Sequence, residues 1–146
     1  MGSSSPRVVG VNDHFPPEKA AAMTAAGLFA RILTGQDPGD DAILAKHADL
    51  MLKSLPVWDP ERYGCDMYYG YHGSYAMYQM GDKWWKAWNA AMKKAVLHSQ
   101  IDVGDAKGSW DAVGPWGHFG GRVYSTALCV LCLEVYYRYG RLIEQR

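Results

Sequence analysis

Apolar positions divide the chain into segments of two alternating kinds. From Glu18 to Leu33 the sequence is alanine-rich and apolar on most sides, the pattern of a helix buried on more than one face. Pro16-Pro17 can open this helix, because proline is tolerated in a first turn, and Gly35 ends it before the turn QDPGD. Next, Ile43, Leu44, His47, Ala48, Met51, Leu52 and Leu55 follow a 3.6-residue period, with Lys46, Asp49 and Lys53 opposite. That is a one-sided, outer type of helix, capped by Asp40 or Asp41 and stopped by Pro56. After the loop VWDPERYG, Asp66 can cap MYYGYHGSYAMYQM, which is aromatic and glycine-bearing rather than amphipathic and closes at Gly81. Asp82 caps a fourth helix. Its stripe is Trp85, Trp88, Met92, Ala95 and Val96, with Lys83, Lys86, Lys93 and Lys94 largely elsewhere. A glycine-rich loop from Gly104 to Gly121 leads into a last helix, about Tyr124 to Tyr139, again apolar nearly all round. The predicted order is inner, outer, inner, outer, inner, with no strand of useful length.

A repeat underlies this order. TAAGLFARILTG (Thr24–Gly35) aligns with GYHGSYAMYQMG (Gly70–Gly81), placing Gly27 on Gly73 and Gly35 on Gly81. RVYSTALC (Arg122–Cys129) aligns with the start of the third helix, placing Tyr124 on Tyr68. A Trp-Asp pair, Trp58-Asp59 or Trp110-Asp111, precedes each of these two helices. Residues 1–16 read as an irregular lead, and 17–146 as one all-α domain of about 2.5 repeats.

Composition narrows the function classes. Fifteen basic residues balance fifteen acidic ones, which argues against a general nucleic-acid binder that must displace counterions with a basic face. No run approaches the length of a membrane span, and MGSSSPRVVG lacks the apolar core of a secretory signal. Three cysteines do not make a disulfide framework. Cys129 and Cys132 form a CxxC inside an apolar helix rather than at a helix N-terminus, so they read as buried structural thiols.

The string KGSW…GGRVYSTALCVLCLEVYYRY resembles the last repeat of the prenyltransferase and squalene-cyclase repeat family. It is most similar to planctomycete-type bacterial members, which typically end in G-S-W, G-G-R-x-Y-[ST]-T-A and L-E-V-Y-Y-R-Y strings. MTAAGL and YYxYxxxxxMYxxGxxxWxxWNxxM resemble their preceding repeats, so the likeness spans about residues 18–140. It implies a partial α/α toroid, in which inner helices ring a cavity and outer helices wrap them. The motifs of the active branches are not matched. The Asp-x-Asp-Asp acid of the cyclases has its nearest counterpart in Asp37-Pro38-Gly39-Asp40-Asp41, with different spacing. The zinc-binding prenyltransferases resemble this chain at Asp66, but Tyr68 stands where their cysteine would be. Cys65 precedes Asp66 instead, and His118 would have to serve as the distant ligand. The Cys-Gly-Glu-Gln motif of thioester domains is absent. No cofactor is expected. A closed toroid needs roughly twice this length. A second copy or a preceding N-terminal half is therefore expected to complete the ring, with the chain as the C-terminal part of a longer protein.

The repeat alignment gathers Asp66, Tyr69, His72, Arg122 and Tyr124 at one end of the inner helices, with Trp110 in the adjoining loop. They read either as a structural Asp66–Arg122 pair with tyrosines bonded to loops, or as a polar cluster in an aromatic pocket. His72 is the candidate general acid or base, with Asp66 beside it. His47 and His98 read as surface or boundary residues, and Glu134 as a partner of Arg138. Trp58, Trp110, Trp116 and Gly120-Gly121 brace the outer helices or form a lid. The expected function is a non-catalytic repeat domain that binds a protein partner or an apolar ligand on a concave aromatic face. The alternative is an enzyme acting on an isoprenoid-like substrate, with Asp66, His72 and Arg122 in its site.

Overall fold

The computed structural model describes residues 10, 12–15, 21–62 and 64–138, without the side chains of Asn12, Tyr136 and Arg138. They are all-α: α1 (Ala21–Leu33), α2 (Ala42–Leu52), α3 (Met67–Met80), α4 (Asp82–Leu97) and α5 (Gly117–Arg138), with 3₁₀ turns at Asn12–His14 and Pro60–Arg62. No strand occurs among the described residues. The expected start at Pro16-Pro17, the end at Tyr139 and the Glu134–Arg138 pair fall outside the described part.

Helix α3 touches each of the other four. Helix α1 packs on α2 and α3, α3 on α4 and α5, and α2 also meets α4. Sequence explains who lies where. Helix α3 buries Met67, Tyr69, Ser74, Tyr75, Met77 and Gln79 on several faces, as a central helix must. Helix α4 buries one stripe, Trp88, Met92, Ala95 and Val96. Its Trp88 crosses onto α3 over Gly73, where an added Cβ would fall within contact distance of the indole ring. The outer helices are tied by polar contacts at their edge: Trp84 Nε1 donates to Asp49 Oδ1 at 2.8 Å, with Lys83 Nζ 3.6 Å from the same oxygen.

The caps follow the sequence in two of three cases. Asp41 accepts from Ile43 N at the start of α2, and Asp66 accepts from Tyr68 N and Tyr69 N at the start of α3. Asp82 does not cap α4. Gly81, at φ 70°, turns the chain from α3 into α4 within one residue, so Gly81 occupies the cap position and Asp82 is the first helical residue. Helix α2 ends at Leu52, three residues before the expected last apolar position. Leu44, Ala48 and Met51 form its packed stripe, whereas Ile43 and Leu55 lie on the exposed side. Gly27 and Gly73 align in sequence but not in surroundings, because Gly27 has open space where Gly73 has Trp88.

The last helix starts earlier than expected. A helical turn begins at Gly117, inside the predicted glycine-rich loop, and bends at Gly121 (φ 61°, ψ −164°) before the long run of α5. The loop ahead of it is fastened at both ends. Trp110, 2% exposed, donates its Nε1 proton to Val96 O at 2.8 Å and its backbone N–H to Thr126 Oγ1. Gly114 lies against the backbone of Cys65, just ahead of α3. The α4–α5 loop is therefore a brace that joins the end of α4 to α5 and to the entry of α3.

Candidate functional site

The six residues that sequence brings together separate into three places. Asp66 and Tyr69 line a cavity of about 280 Å³ at the end of the helix row where α3 begins. His72 points from another face of α3, with its charge still bearing on Asp66. Trp110 and Arg122 belong to the α4–α5 brace. Tyr124, on α5, lies close enough to Asp66, Tyr68 and Cys132 for their charges to bear on its hydroxyl.

The expected Asp66–Arg122 pair does not form. Arg122 reaches Asp111 instead, Nη2 to Oδ1 at 2.6 Å, and its Nη1 donates to Ser109 Oγ. Both partners come from the loop that precedes α5, so the shorter connection prevails over the repeat register. Asp59 of the other Trp-Asp loop likewise holds a nearby arginine, Arg62. The Arg122–Asp111 pair is solvent-exposed on both sides, and such pairs are worth no more than about 1 kcal/mol.

Asp66 is held by its role as a cap. Oδ1 accepts both the Tyr68 and the Tyr69 N–H, at 3.0 and 3.1 Å. Burial raises the carboxyl above the usual carboxylate range, against the lowering effect of those two N–H groups and of His72. The Tyr69 hydroxyl donates to Ser54 O at 2.9 Å, with Met51 O at 3.4 Å, and so pins the α2–α3 loop to α3. The remaining wall of the cavity comes from segments far apart in sequence, among them Phe15, Ala22, Leu55, Met92 and Ala95. No local pattern marks these residues, because their convergence exists only in the folded chain.

On the other side of α3 the aromatic rings form a continuous run. Trp116 meets Tyr68 (ring centroids 6.5 Å apart), Tyr68 meets His72 (4.3 Å), His72 meets Tyr71 (5.0 Å), Tyr71 meets Tyr75 (4.9 Å) and Tyr75 meets Phe29 of α1 (5.5 Å). Positions 68, 71, 72 and 75 share one helix face, and 66, 69, 70 and 73 share the other. His72 Nδ1 lies 3.0 Å from the Tyr68 carbonyl. The rings are graded from exposed Tyr68 and Trp116 through half-buried Tyr71 and His72 to buried Tyr75.

The other expected site groups have structural places. Asp37 Oδ1 accepts from Gly39 N within the turn before α2. His118 is exposed on the turn that opens at Gly117, and His98 is exposed at the end of α4 with Nδ1 2.9 Å from Lys94 O. Cys65, Cys129 and Cys132 are buried free thiols. Burial pushes Cys65 and Cys132 up to about 12 and raises Cys129 as well. Among the described residues no three His, Cys, Asp or Glu side chains converge as a metal-binding group, and no helix is long and apolar enough to cross a membrane. Comparison with protein-family models, curated proteins and solved structures gives no match.

Proposed function

We propose that the chain is an arc of an α/α toroid of the squalene-cyclase and prenyltransferase type, and that it binds an apolar small molecule along the aromatic face of α3. The observation carrying this reading is the unbroken run of rings from Trp116 to Phe29. Aromatic side chains offer large apolar area with few rotatable bonds, so a ligand laid across them pays little ordering entropy. The half-buried grading leaves one edge of the run open to a ligand. The packing of α1 on α2 and of α3 on α4, helix by helix along the chain, supports the toroid part of the reading.

Farnesol serves as the probe, as an extended isoprenoid chain. Titration followed by tryptophan fluorescence is expected to show saturable binding. The Tyr68→Ala/Tyr71→Ala double variant should weaken it about tenfold or more, while Asp66→Asn leaves it unchanged. Equal affinity in the double variant removes the aromatic face from consideration.

In the same reading a second copy completes the ring. The end helices carry apolar side chains into solvent: Met23 and Leu33 on α1, and Val123 and Val130 on α5. Static light scattering should give a mass near twice 16.3 kDa. A sharp monomer at high concentration rules out closure by a second copy. An isoprenoid-converting enzyme built on Asp66, His72 and Arg122 gains no support, because Arg122 is engaged by Asp111 and Ser109.

A further inference from the structure

The cavity at the start of α3 is separate from the aromatic run, and its chemistry differs. Its walls are mostly aliphatic or thioether groups, including Ala22, Leu55, Met67 and Met92. His14 is the basic residue among the described residues that line it, and no lysine or arginine does. Tyr69 contributes a hydroxyl that is already committed to Ser54 O. Gly70, in the α3 wall, keeps the space open where a Cβ would press on the ends of Met92 and Met67.

Among the described lining residues stands one carboxyl group, Asp66. A carboxylate has about four acceptor sites on two oxygens. Both cap bonds fall on Oδ1, so Oδ2 keeps acceptor capacity. Burial raises the Asp66 carboxyl despite the lowering effects of the two cap N–H groups and of His72, and a further opposite charge within a few ångströms favours the charged form. A ligand that delivers an ammonium to Oδ2 would therefore complement the cavity in charge as well as in shape. The volume lies just below the range of about 300–1,000 Å³ typical of small-molecule pockets, so the apolar body must be compact.

We propose that this cavity is a binding site for a small primary ammonium compound with a compact apolar body, whose cationic end pairs with Asp66 while its body packs among Ala22, Leu55, Met67 and Met92. The carboxylate supplies direction and charge selectivity. A hydrogen bond to the charged carboxylate is stronger than one between neutral groups.

Phenethylamine and its neutral isostere 2-phenylethanol test this on the full chain, by isothermal titration calorimetry at neutral pH. Wild type should bind the amine at least about tenfold more tightly than the alcohol, the step expected of a hydrogen bond to a charged group. Asp66→Asn keeps a good cap residue and should erase that preference while still binding the alcohol. Ala95→Leu, which fills the cavity from α4, should weaken both ligands together. Tyr68→Ala/Tyr71→Ala should change neither, which separates this site from the aromatic face. Equal wild-type affinity for the two ligands overturns the proposal, as does an amine preference that survives in Asp66→Asn, or no binding of either ligand. The wild-type comparison stands even if a variant fails to fold.

Discussion

Trp88→Ala is expected to cost about 3–5 kcal/mol of stability, the range for truncating a buried aromatic residue. Trp88 is fully buried and joins three features of the core. Its ring covers Gly73 on α3 and meets Tyr69 edge-on at 5.2 Å. Its Nε1 proton goes to Ser74 Oγ at 3.0 Å, and Ser74 in turn hydrogen-bonds the sulfur of Cys132 on α5. The alanine variant leaves a cavity and takes away the Trp88 N–H that Ser74 accepts. Loss of that donor is itself costly for a buried polar group. Trp88→Phe, which keeps most of the ring volume, should lose less. Urea denaturation should show a lower midpoint at unchanged slope. A loss below about 1 kcal/mol would mean that α4 does not anchor on α3 through this residue.

The second large effect is expected at Gly114, where Ala should cost about 2–4 kcal/mol. Gly114 sits at φ 79°, a conformation that an L side chain adopts only with strain. Its added Cβ would also collide with the Cys65 carbonyl oxygen, which belongs to backbone and cannot rotate aside. Gly108 separates the two contributions. It has φ 84° but nothing within 4 Å of an added Cβ, so Gly108→Ala carries the conformational cost alone, about 1–2 kcal/mol. Thermal or urea melts of the pair should rank Gly114→Ala as clearly the less stable. Equal losses would show that the α4–α5 loop is not pressed against the entry to α3.

These two sites also show what was legible in the sequence. The all-α class was legible because helical burial on one or several faces is written directly in residue periodicity. The caps at Asp41 and Asp66 were legible for the same local reason. Asp82 misled because a one-residue corner at Gly81 leaves no room for a separate capping residue. Arg122 misled because a repeat alignment gives register, not partners, and Asp111 was already at hand in the preceding loop. The cavity has no local signature, because α1, the α2–α3 loop, α3 and α4 each contribute a few unremarkable residues to it. The aromatic run was half legible: the tyrosines and His72 of α3 were visible as a cluster, but their continuation to Phe29 and Trp116 depends on tertiary packing.

The three thiols have a consequence for the chain's reactivity. All are buried and held in the protonated form, while electrophiles and oxidants attack the thiolate. Cys65 precedes α3, and Cys129 and Cys132 lie on α5, so the sulfur is stored around one helix pair. Alkylation and peroxide oxidation of these thiols in the native chain are therefore expected to be slow, and to speed up once local opening exposes the sulfur.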